Sequence, residues 1–149
     1  MSFMTMQAAG PAFEETQKTI SIPGQGDGVL DVFVVAGGTV IVETLWFEVV
    51  DAPPGSGTLT CRVFVPAQVD LPSLIGWAVG RSMSFRFTGT EDSDSVGSLA
   101  SLVTPRLMVS GKKVQWETVS NLDTPPPLGQ VTFWATWRPL TAGATLNAA

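Results

Sequence analysis

Residues Gly28–Asp51 read GVLDVFVVAGGTVIVETLWFEVVD, two apolar runs parted by Ala36-Gly37-Gly38. β-Branched and aromatic residues dominate both runs, and these suit a pleated, half-buried surface. A short glycine-containing break between two such runs predicts a β-hairpin. Strict alternation puts Leu30, Val32 and Val34 on one face of the first strand, with Val29, Asp31, Phe33 and Val35 on the other. In the second strand it puts Val40, Val42, Trp46 and Val50 on one face and Ile41, Leu45, Phe47 and Val49 on the other. With apolar residues on both faces, one is expected in the domain core and the other on a second layer or another subunit. Glu43 and Glu48 interrupt the pattern and read as edge solubilisers.

Outward from this stretch the alternation continues. Thr16–Ile22 places Lys18, Ile20 and Ile22 on one face. Thr58–Val65 points Leu59, Cys61, Val63 and Val65 inward, so Cys61 reads as a small buried hydrophobe. Ser82–Thr88 turns Met83, Phe85 and Phe87 inward, and Lys113–Val119 does the same with Val114 and Trp116. Gln130–Arg138 gathers Val131, Phe133, Ala135 and Trp137 on one face and Thr132, Trp134, Thr136 and Arg138 on the other. Trp134 on a nominally polar face points to contact beyond the core.

The connections are less regular. Pro23–Gly28 is a turn whose three glycines lack the Gly-Lys-Ser/Thr of a phosphate-binding loop. Pro66–Arg81 is a helical turn or a loop that inserts Trp77. Gly89–Ser98 is an exposed acidic loop, and its Glu91, Asp92 and Asp94 lack the rest of a calcium-loop pattern. Ser98–Val109, with Pro105 inside it, is an edge strand or a connection. Three consecutive prolines stiffen 121–129. The result is an all-β, single-domain β-sandwich, jelly-roll-like, with about eight antiparallel strands. It spans 16–140, between an apolar N-terminal arm (1–15) and a small polar tail (141–149).

Composition narrows the chemistry. The chain has 149 residues, 44% of them hydrophobic and only 14% charged, with a net charge of −5. About a quarter charged is usual, so part of the surface is expected to be covered by other subunits. Eight scattered Lys and Arg do not supply the clustered charge that nucleic-acid binding needs. No stretch has the roughly 20 apolar residues of a membrane span. MSFMTMQAAGPAFEE lacks the basic and apolar regions of a secretory signal, so synthesis in a cytoplasm is expected. There is no His and no Tyr, which removes the commonest general base and the usual zinc sets. Glu43, Glu48 and Asp31 would be the carboxylates of a hydrolase. They converge with few other polar residues, so no enzyme, cofactor or metal is expected.

Two patches carry a resemblance. Lys18–Val50 runs KTISI, a Gly-rich loop, then VFVVAGGTVIVETLWFEV. Leu128–Leu146 runs LGQVTFWATWRPLTAGATL. Together they resemble a group of small tailed-bacteriophage virion proteins. In these, a Lys-Thr-Ile strand precedes a Phe-x-Val-x-Gly-x-Val hairpin, and the last strand ends in Trp/Tyr-Arg-Pro-Leu. This chain has Val35-Ala36-Gly37-Gly38 where a single Gly is usual, which leaves the turn type open. The resemblance implies a virion structural protein on the outer capsid surface, foremost a capsid decoration (cement) protein. Such a protein would be a homotrimer clamping the major capsid protein. A tail, baseplate or head-fibre protein with glycan binding, its platform supplied by the Trp77 loop, is the alternative. The arm, with Met1, Phe3, Met4, Met6 and Phe13, is the expected capsid contact. Trp46 and Trp134 are the candidates for the subunit interface, where aromatics are enriched.

Overall fold

The computed structural model describes residues 13–65, 67–87, 94–97, 106–122 and 124–149. Among these it forms eleven strands and no helix: β1 Glu14–Ser21, β2 Val29–Ala36, β3 Val40–Asp51, β4 Thr60–Phe64, β5 Gln68–Asp70, β6 Ser82–Phe87, β7 Asp94–Gly97, β8 Arg106–Met108, β9 Lys113–Ser120, β10 Gln130–Pro139 and β11 Thr145–Ala148. One sheet runs β1-β10-β3-β6-β7, with β8 also paired to β3; the other runs β11-β2-β9-β4-β5. Every pairing is antiparallel. The all-β sandwich expected from the alternation is therefore the fold observed.

The core lies between the sheets. Phe47, Phe85 and Phe133 come from the first sheet and Phe33 and Trp116 from the second, all at most 1% exposed. Trp116 presents its edge to Phe47 and Phe133, each 5.8 Å away between ring centres. Such edge-to-face pairs contribute about 0.5–1.5 kcal/mol beyond area burial.

The strand count exceeds the expected eight because β5, β7, β8 and β11 have only three or four residues each, too few for a pattern to declare itself. β7 falls in the stretch read as an acidic loop. β11 falls in the stretch read as a polar tail, and its Leu146 is buried.

The hairpin expected at Ala36-Gly37-Gly38 is corrected: β2 and β3 lie in different sheets. The glycines serve an arch that crosses between sheets. A Cβ on Gly37 would stand 2.8 Å from the Gly143 carbonyl oxygen, and one on Gly38 would stand 2.8 Å from the Thr141 Cβ. The β10–β11 connection crosses at the same end and packs directly on this arch. Leu140 and Thr141 both donate their N–H to the Thr39 carbonyl, at 2.9 and 3.1 Å. The glycine pair thus provides close backbone approach, not a tight hairpin turn.

Two β-bulges correct the expected faces. In β3, Val42 pairs with Trp137 and Thr44 with Thr136, so Glu43 is the extra residue. Val40 and Val42 face the core before it and Leu45, Phe47 and Val49 after it; Trp46 and Val50 face outward. In β2 the extra residue is Val32, which turns consecutive Val32 and Phe33 both inward. A bulge inserts one residue and shifts the phase of everything beyond it.

Candidate docking surface

The outer faces of the two sheets differ in chemistry. On the β2–β9–β4 face, charges pair across strands. Lys113 and Gln115 both donate to Asp31, at 3.0 and 2.8 Å, and Arg62 donates to Glu117 at 2.8 Å. The Gln115 hydrogen bond, then that of Lys113, holds the Asp31 carboxyl below its ordinary value. This is a solvated, self-satisfied surface.

The outer face of the β1–β10–β3 sheet is built around aromatics. Trp46 on β3 and Trp134 on β10 are direct cross-strand partners, stacked with ring centres 5.6 Å apart and planes 9° from parallel. Both are half-buried. Threonine pairs flank them along the strands: Thr19–Thr132 at 2.7 Å and Thr44–Thr136 at 2.6 Å between hydroxyls. These pairs consume hydroxyls that would otherwise hold water. The Trp134 Nε1 is buried and has no hydrogen-bond partner among the described residues, an arrangement that costs about 1–3 kcal/mol. At the far end of β10, Arg138 stands 3.8 Å from Glu43 and 5.8 Å from the ring centre of Phe13, which is 56% exposed.

Of the residues singled out from sequence, Trp46 and Trp134 are therefore brought together on one outer face, with Phe13 at its edge. Met1, Phe3, Met4 and Met6 lie outside the described residues. The threonine pairs were not anticipated; they follow from the register of β1 and β3 against β10, which no single strand reveals. Trp77 is not a surface platform. It is 4% exposed, stacks on Phe47 at 6.2 Å between ring centres, and is capped by the Arg81 guanidinium at 3.9 Å.

Cys61 is buried, with Thr118 within 3.8 Å of its sulfur. Burial pushes its thiol up to about 12 from an ordinary 9. Between these values the unfolded chain gives up the proton while the folded chain keeps it, so stability falls as pH rises from about 9 toward 12. Urea unfolding at pH 8 and pH 10.5 is expected to show this loss in the natural chain and a smaller one in Cys61→Ala. Equal slopes would mean that the thiol is not buried as described. Among the described residues, no group of three His, Cys, Asp or Glu side chains is placed to hold a metal ion. No described helix is long and apolar enough to cross a membrane.

No protein-family model matches the chain, and no curated protein matches it. Among solved structures, a Nora virus structure is similar at 12% identity with a TM-score of 0.35. The match covers 89% of this chain, and this chain spans 61% of that one.

Proposed function

We propose that the chain is a virion structural protein, a decoration (cement) protein of a phage capsid, and not an enzyme. It associates with itself, as a homotrimer, through the outer face that carries Trp46 and Trp134. Its N-terminal arm reaches the major capsid protein on the outer shell. The observation that carries this reading is the half-buried tryptophan stack flanked by mutually bonded threonine pairs on one outer face, while the other outer face is laced by cross-strand ion pairs. The resemblance of Lys18–Val50 and Leu128–Leu146 supports it, as does the low charged fraction. Many symmetric copies make modest contacts collectively strong.

Sedimentation of the purified protein, alone and with expanded shells of its cognate phage, tests the proposal. A trimer that co-sediments with shells is expected. The double variant Trp46→Ser, Trp134→Ser is expected to lose self-association at least tenfold while keeping a cooperative melt. A monomer that ignores shells would overturn the reading in favour of the tail or fibre alternative. Saturable quenching of tryptophan fluorescence by glycans would be the mark of that alternative.

A further inference from the structure

A cleft of about 380 Å³ opens where the loop after β1 meets the loop between β9 and β10, beside the end of β3. Two hydrogen bonds lace its walls together. Ile22 donates its N–H to the Gly129 carbonyl at 2.9 Å, and Gln25 donates its N–H to Asn121 Oδ1 at 2.8 Å. Gly129, at φ +100°, lies so close to β3 that a Cβ there would stand 2.7 Å from the Asp51 carbonyl oxygen. The cleft is therefore held open by the fold, and little ordering is left for a ligand to impose.

Its chemistry is one-sided. Pro126, Pro127 and Leu128 form an apolar wall, and the lining includes Asp27 and Asp51 but no Lys or Arg. Among the described residues the Asp51 carboxylate has no ion-pair or hydrogen-bond partner. One oxygen of Asp27 accepts from the Gly24 N–H at 2.7 Å, leaving the other free. The Gln130 amide nitrogen donates to the Ser21 hydroxyl at 3.2 Å, which leaves its carbonyl oxygen to accept. The remaining donors of the lining, the Asn121 amide nitrogen and the Ser21 hydroxyl, are neutral while both of its charged groups are carboxylates, so phosphate or carboxylate ligands are disfavoured by charge. The complementary ligand brings several donors, a positive charge and an aliphatic stem to lie along the prolines. A guanidinium on its three-carbon chain has all three.

We propose that this cleft docks an arginine side chain of a partner protein. The assignment shares no residue with the tryptophan face and stands or falls separately from it. Nitrogen-15 NMR titration with blocked arginine (N-acetyl-arginine amide) tests it, with blocked citrulline as the neutral isostere and putrescine as the free polyamine. Blocked arginine is expected to shift the amides of 22–28 and 126–130 saturably, and citrulline to leave them unmoved. Asp51→Asn, at an exposed side chain without partners among the described residues, is expected to weaken the effect at least fivefold without altering the rest of the spectrum. Absence of saturable shifts overturns the proposal, as does equal response to citrulline. Putrescine binding as well as arginine would also overturn it, by making this a polyamine site.

Discussion

Replacing Phe47 by alanine is expected to destabilise the fold by about 3–5 kcal/mol, the range for emptying a large aromatic site in a core. Phe47 is fully buried and touches both layers. Its ring centre lies 5.3 Å from that of Phe133, 5.8 Å from Trp116, 6.0 Å from Phe85 and 6.2 Å from Trp77. Four large rings cannot all collapse into the space one leaves, so most of the cavity persists. For a chain of this length each kcal/mol lowers Tm by roughly 2–4 °C, which puts the melting point about 6–20 °C lower. Phe47→Leu should lose much less. A loss under about 1 kcal/mol for the alanine variant would show that this ring is not the junction of the two sheets.

Deleting Glu43, a whole residue from the longest described strand, is expected to leave the cooperative unfolding transition in place. The side chain itself matters little. Its ion pair with Arg138 is long at 3.8 Å and partly exposed, and such pairs contribute about 0–1 kcal/mol. Its place in the count is what matters. Without the extra residue, Val42 and Thr44 become consecutive opposite Trp137 and Thr136, and Val40, Val42, Leu45, Phe47 and Val49 fall at strictly alternate positions on the core face. Faces would exchange only if Glu43 were kept and paired regularly, because a one-residue slip then buries Trp46 and exposes Phe47. Glu43→Ala should therefore melt within about 1 kcal/mol of the natural chain, and the deletion should keep a native transition by circular dichroism. A deletion variant with no native transition would sink Glu43 as the extra residue of this strand.

The contrast between these residues explains what the sequence could declare. β4, β9 and β10 present their inward residues at unbroken alternate positions, so Cys61, Val63, Trp116 and Phe133 were placed correctly, and Trp134 was placed outward for the same reason. In β2 and β3, Val32 and Glu43 break the alternation without leaving any compositional mark, so strict alternation groups the residues beyond them with the wrong face of the residues before them. Gly37-Gly38 was misread because a tight turn and a close backbone crossing both demand glycine; Gly143 and Thr141, which decide between them, lie a hundred residues away. Trp77 sits among Pro72, Gly76 and Gly80, which hide any period that would have shown it turned inward. The cleft was illegible because it gathers three segments that meet only once both sheets are complete.

The place of β1 at the edge of its sheet bears on how the protein is made. Among the described strands its only sheet partner is β10, and Thr19 and Thr132, which meet across that pair, are separated by 113 residues. At ordinary ribosomal speeds that interval is roughly 5–25 s of translation. For most of it the nascent chain carries β3, the longest of the described strands, without the β10 neighbour it will pair with. Pairings of such long sequence separation also form slowly after release. Recombinant yield should therefore respond more to slower synthesis and to ribosome-associated chaperones than to any change in the finished surface.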